Sequence, residues 1–392
     1  MEKIMTKKLF NIRFFISFGM ILTLCGCSKS FSPRFNSSEQ GKITISALKT
    51  DSTGLSELIQ DFNTVYPNIK IDLIPETEVS SENADIFFGK PSALLDKKIL
   101  ENTENLSRTS IKTSSINKNL LKTCKINGKN VILPLGLEIK DVYLVNKTIL
   151  NQNGIENVIT GEDFSAAQKT FCAKGIVPVV FGKNAAGNYF YSTFLSELSS
   201  SADKKQFLNY YESHNESAAL YVEKYFTALN ALKNSNTLSV TDRILLDAPF
   251  TYVSPDDFRA VFASLNTNSA DFEYKILSES KNTTKTSINM CAGMILNKNA
   301  PSKKLAEEFL RFVSTSASLN KYAEINCVPT SAKKNADSRF DKFFESRLIS
   351  AAVVIPEIEF KACAERFSEN LSLYANETYT KAESLQKFCR GE

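Results

Sequence analysis

The chain has 392 residues, 43% of them hydrophobic, with 47 Lys+Arg against 43 Asp+Glu and a formal net charge of +4. Length and apolar content suffice for two domain-sized cores, while so small a basic surplus excludes the electrostatic footprint of nucleic-acid binding. A single histidine, His214, argues against Cys/His catalysis and against a zinc site, and tryptophan is absent altogether.

Lys3, Lys7, Lys8 and Arg13 precede an uncharged apolar run of eleven residues, Phe14 to Leu24. This is the layout of a secretory signal peptide, and the run falls short of the ~20 residues a membrane-spanning helix needs. It ends in Leu24-Cys25-Gly26-Cys27, which resembles a bacterial lipobox, with small Gly26 before the cysteine that would become the lipid-bearing N-terminus. Cleavage there would remove four basic residues and one acidic residue, leaving 43 against 42. The net charge thus belongs mostly to the leader. Six further cysteines, Cys124, Cys172, Cys291, Cys327, Cys363 and Cys389, are scattered without CxxC spacing. Outside the cytoplasm disulfides are permitted, but the count does not choose among pairings, and buried thiols are an equal alternative. Residues 28–41 (SKSFSPRFNSSEQG) are rich in Ser, Asn and Pro. They read as a flexible tether reaching ~20 Å on a root-mean-square basis.

The folded part opens at KITISAL, where Ile43 and Ile45 alternate with polar residues as in a strand. Leu55, Leu58, Ile59, Phe62 and Val65 then recur at helical spacing until Tyr66-Pro67-Asn68, and IKIDLIP follows as a second strand. This is a crossover unit of a parallel sheet. ADIFFGK (84–90) reads as a third strand, and the fold class is α/β. In such sheets ligands bind beyond the carboxyl ends of the strands. The loop 49–54, with Asp51 and Ser52, and the Gly89-Lys90 step therefore become candidate binding positions. Helix capping by Asp51, Ser52 or Thr53 would explain that loop equally well. His214 lies in YYESHNESAALYVEKYF, which reads as one helical stretch with a solvated histidine.

Two blocks carry a family resemblance. The first is GKNVILPLGLEIKDVYLVNKTILNQNGI, from Gly128, followed by Glu162-Asp163-Phe164 and Gly175-Ile176-Val177-Pro178. The second is TSINMCAGMILNKNAPSKKLAEEFLRFVSTSASLNKYAEINCVPTS, with Pro301 suited to a first helical turn and Leu305, Phe309, Phe312 and Val313 as a buried stripe. In order and spacing across 43–330 they resemble the family 1 extracellular solute-binding proteins, the maltose-binding-like receptors of ABC importers.

The resemblance implies two α/β lobes with a ligand cleft between them. After a signal peptide (1–26) and an anchor and tether (27–41), lobe 1 is expected at 42–137 plus 286–330. Lobe 2 is expected at 138–285 plus 331–392, with crossings near Leu137–Ile139, Lys285 and Pro329–Thr330. It implies a monomer held on the outer face of the bacterial cell membrane through Cys27, without cofactor or metal, that passes a small solute to permease subunits. Carbohydrate is the leading solute class. Where sugar-binding relatives commonly place a Gly and a Trp, this chain has Ser254-Pro255-Asp256-Asp257. Stacking would fall to Tyr143, Tyr189, Tyr191 or Tyr252, with Glu138, Asp256 and Asp257 as polar contacts. A helix cap accounts equally well for Asp256 and Asp257. A binding lipoprotein serving a sensor or assembly, a receptor for a cation such as a polyamine, and an extracytoplasmic enzyme remain alternatives.

Overall fold

The alternation after Gly41 forms strand β1 (Gly41–Leu48), and the helical spacing that follows forms helix α1 (Thr53–Val65), before strand β2 (Ile69–Pro75). β1 and β2 pair in parallel from Gly41↔Ile69 to Ala47↔Pro75, because the intervening helix returns the chain to the same edge. Leu55, Leu58 and Phe62 are fully buried on the face that α1 turns to the sheet. Strand β3 (Ile86–Gly89) adds to the other side of β1, again in parallel. The computed structural model describes residues 31–48, 52–75, 84–122, 124–139, 142–182, 185–241, 247–253, 272–276, 285–326, 328–333, 352–354 and 358–391. Cys27, Asp51, Asp256 and Asp257 lie outside these residues.

Downstream come β4 (Ile132–Ile139), β5 (Val142–Asn146), α2 (Gly161–Ala173), β6 (Val179–Gly182), α3 (Tyr191–Ser200) and α4 (Ala219–Asn234). Then follow β7 (Leu238–Thr241), β8 (Phe250–Tyr252), β9 (Phe272–Ile276), β10 (Lys285–Leu296), α5 (Lys303–Val313) and α6 (Ser316–Asn326). β11 (Ala352–Val354), α7 (Ile358–Ala375) and α8 (Lys381–Arg390) close the chain. Asn146 ends β5 and caps the short helix after it, its Oδ1 accepting from the Ile149 N–H at 3.1 Å. Thr160 and Asp163 form a reciprocal capping box at the start of α2.

The strands make two principal sheets, β11-β10-β3-β1-β2 with β4 joined to β10, and β9-β5-β8-β6-β7. Each has its own core. Ile43, Phe62, Phe88, Leu133 and Phe309 belong to the first; Phe164, Phe226, Phe250, Phe367 and Phe388 belong to the second. Helices α7 and α8 thus return to the second core although they follow segments of the first. Described segments that flank the passages between the cores lie side by side. β4 pairs antiparallel with β10, with an irregularity at Cys291, and the Leu137 N–H donates to the Pro329 carbonyl at 2.8 Å. Among the described residues no helix is long and apolar enough to cross a membrane.

The structure corrects three local expectations. The flexible tether to residue 41 does not hold from Phe31 onward, where the chain lies against the first core. Phe31 meets Tyr66 and Phe312 edge-on at 6.4 and 5.3 Å, and the backbone N–H of Arg34 donates to the Glu308 Oε1 at 3.0 Å. His214 does not continue a helix. It sits exposed at φ +54° in the break between Lys204–Glu212 and the turn before α4, with its Nδ1 3.3 Å from the Cys389 carbonyl. Finally, Pro301 precedes Ser302, the N-cap of α5, and the buried face of α5 is Ala306, Phe309, Leu310 and Val313, flanked by Leu305 and Phe312.

Candidate functional site

The register of the first sheet brings the candidate residues to one edge. β1 and β3 are parallel, β3 and β4 are both antiparallel to β10, and so β1, β3 and β4 all run the same way. Their carboxyl ends, at Leu48, Gly89 and Ile139, share the edge from which β10 enters the sheet. That edge is where ligands of parallel sheets bind. Ser52, at the N-cap of α1, follows β1, and its side chain makes no capping hydrogen bond. Lys90 follows β3 and is exposed. Glu138, half-buried, lies near the end of β4 opposite Asn289 of β10.

At this edge the two cores meet. Tyr191, the first residue of α3, is fully buried, and its hydroxyl accepts from the Asn289 Nδ2 at 3.1 Å. Asn289 is itself fully buried, and its Oδ1 has no hydrogen-bond partner. An orphan buried acceptor is uncommon, and here it stands beside a seam between two bodies. Burial, with the carboxylates of Glu365 on α7 and Glu138 adding to it, holds the Tyr191 hydroxyl well above the usual phenol range. The Cys291 thiol is pushed up to about 12 by burial, with Glu138 reinforcing and Lys90 opposing. Lys90, Glu138, Asn289, Tyr191 and Glu365 therefore form one neighbourhood drawn from both sheets' bodies. The short helix Pro91–Leu94, directly after Lys90, abuts α7 at the same seam. Neither Asn289 nor Glu365 was singled out by sequence reasoning. A polar residue inside the apolar run Ile288–Leu296 is the only signal that pointed to Asn289.

The tyrosines form a second group. Tyr143, Tyr252 and Phe181 stand level on adjacent strands β5, β8 and β6. The Tyr143 and Tyr252 ring centroids are 5.0 Å apart, and Tyr189 lies 5.2 Å from Phe181. Tyr143 and Tyr252 are at most 2% exposed and Tyr189 is 7% exposed, so the structure places them in the aromatic layer of the second core. β6 and β8 are parallel, and the layer lies at their carboxyl edge, with Tyr252 two residues before Ser254. Of the first group, Lys90, Glu138 and Glu365 reach the surface with an ammonium and carboxylates, which suit hydrogen bonding to a polar solute, whereas Asn289 and Tyr191 are fully buried and hold the seam. Among the described residues no group of three or more His, Cys, Asp or Glu side chains is arranged to hold a metal ion.

No family model matches the chain, and no curated protein matches it. Solved structures do. A binding protein from Bacillus subtilis, in an open conformation, is 18% identical with a TM-score of 0.67, over 90% of this chain and 96% of that one. A sugar transporter protein from Bacillus licheniformis, in complex with stachyose, is 16% identical with a TM-score of 0.63, over 89% and 98%. A family 1 extracellular solute-binding protein from Bifidobacterium longum subsp. infantis is 13% identical with a TM-score of 0.63, over 90% and 99%. The likeness spans both sheets, and the chain has the two-lobed α/β fold of these binding proteins.

Proposed function

We propose that the chain is an extracytoplasmic receptor, anchored by a lipid on Cys27, that captures a carbohydrate between its lobes and presents it to the permease of an ABC importer. The observation that carries this reading is the seam itself. Two separately packed cores meet at an edge that carries Lys90, Glu138, Asn289 and Tyr191, with the flanks of the expected crossings side by side there. A fold shared with a protein solved in complex with stachyose supports a sugar as the solute. Capture would proceed by rotation of one lobe on the other, each lobe staying rigid. The solute would then favour the closed form by touching both. Binding rather than turnover is the activity this arrangement supports, and energy for import would come from the permease's own ATPase.

Thermal-shift measurement on the chain from residue 28, against oligosaccharides, polyamines and amino acids, tests the proposal. A ligand specific to the native state at a hundredfold excess over Kd adds about 2.7 kcal/mol. Stabilisation by one class of oligosaccharide is expected. Stabilisation by polyamines alone would replace sugar by a cation as the solute, and affinity that falls steeply with salt would mark that case.

A further inference from the structure

The segment after the lipid site is held by contacts that a mere tether would not need. Tyr66, at the end of α1, is fully buried, and its hydroxyl donates to the Glu308 Oε1 at 2.7 Å. The same oxygen of Tyr66 accepts the backbone N–H groups of Arg34 at 3.1 Å and Phe35 at 3.4 Å. Glu308, 1% exposed, is paired with Arg311. The Arg311 guanidinium lies 5.4 Å over the Phe31 ring and donates to the Ser32 carbonyl at 3.1 Å. Farther along, Asn68 Nδ2 donates to the Ser37 carbonyl and Gly41 N–H to the Asn68 carbonyl, both at 3.4 Å. A buried carboxylate that finds its partners in a backbone N–H of this segment, a tyrosine and an arginine is costly to leave buried with any of them missing. The segment is therefore a strap on the first lobe, closed over Tyr66 and Glu308.

The strap changes the geometry of anchoring. Only Ser28, Lys29 and Ser30 separate Cys27 from Phe31, a reach of at most ~14 Å for four fully extended steps. A free tether to Gly41 would reach ~50 Å on the same basis. We infer that the strap face of the first lobe, around Phe31, Arg34 and Arg311, is a membrane-facing surface that lies against the lipid bilayer in one orientation, leaving the second lobe as the one that moves. This rests on the lipid anchor at Cys27. On the strap itself Arg34 is exposed and would meet anionic headgroups favourably, and the half-buried Glu39 is the strap's one acidic residue.

The test uses the full chain, processed and reconstituted into phosphatidylglycerol-containing vesicles with a quencher on the lipid headgroups. A fluorophore is placed at Ser38→Cys on the strap or at Lys205→Cys in the second lobe, both exposed positions. Quenching should be severalfold stronger at residue 38 than at residue 205. Inserting a twelve-residue Gly/Ser linker after Ser30 should erase most of that difference while leaving the strap docked. Equal quenching at both positions on a lipidated chain, or a linker with no effect, would overturn the membrane-facing surface while sparing the anchor. Mass spectrometry finding no lipid on Cys27 would overturn the anchor and the surface together. Docking is read separately, on the soluble chain from residue 28, by amide hydrogen exchange. Arg34 and Phe35 should exchange far more slowly than an unstructured chain, and coil-like exchange at both would overturn the strap.

Discussion

A single hydroxyl can decide how two bodies meet. Tyr191 supplies the hydrogen bond that Asn289 makes across the seam, so Tyr191→Phe leaves a fully buried amide with neither end paired. The expected cost is about 1–3 kcal/mol in urea denaturation, with the fold retained. No loss would mean that Asn289 turns to another partner. Tyr66 gives a pH signature instead. Its hydroxyl is pushed from 10 up to about 12, first by burial and then by its bond to Glu308, against the opposing N–H groups of Phe35 and Arg34. Because the folded value lies above the unfolded one, the stabilising contribution is complete below pH 10 and is lost as pH rises from 10 through 12. The tyrosinate would then face the Glu308 carboxylate. Tyr66→Phe should flatten that part of the stability profile, and an identical alkaline fall in both proteins would contradict the assignment.

At the scale of elements, close backbone approach is what holds the carboxyl-terminal helices to the second lobe. The 3-10 turn Ala186–Asn188 lies so near α7 that a Cβ on Gly187 would sit 1.6 Å from the Ser368 carbonyl oxygen. Its N–H donates to the Ser372 Oγ at 2.8 Å, and the Ser368 Oγ donates to the Asn188 Oδ1 at 2.9 Å. Gly187→Ala must therefore push the turn off the helix, and a loss of about 3 kcal/mol or more is expected from overpacking. Gly175 is the contrasting case. It has φ +72° with open space around its Cβ position, so Gly175→Ala should cost only the left-handed conformation, about 1–2 kcal/mol. Chemical denaturation of both variants separates the two mechanisms, and equal losses would show that the α7 approach is not tight.

For the whole molecule, the proposed capture of a solute implies rigid-body motion, because the two cores are packed separately. Each core keeps its own packing, and among the described residues β4, β10 and Pro329, which flank the expected crossings, lie side by side. Rotation there absorbs a change in few residues while leaving the interiors intact. Small-angle scattering should show a smaller radius of gyration at saturation with a stabilising oligosaccharide than without it. An unchanged radius at saturation would mean capture without closure.

What the sequence determined alone was local and periodic. Ile43 and Ile45 at period two, Leu55, Leu58 and Phe62 at helical spacing, and Thr160 with Asp163 as a cap each specify their element through neighbours a few residues away. The order of two motif blocks was enough to point to the two-lobed fold. The strap, the His214 turn and the seam were decided elsewhere. Serine, proline and asparagine after Phe31 look like any linker until Glu308, far along the chain, supplies the buried partner that holds them. Tyr143 and Tyr252 look like free stacking rings until three strands set them level within a core. Asn289 meets Tyr191 because β10 and α3 approach across some hundred residues of chain, and such pairings depend on burial and register, which no local pattern encodes.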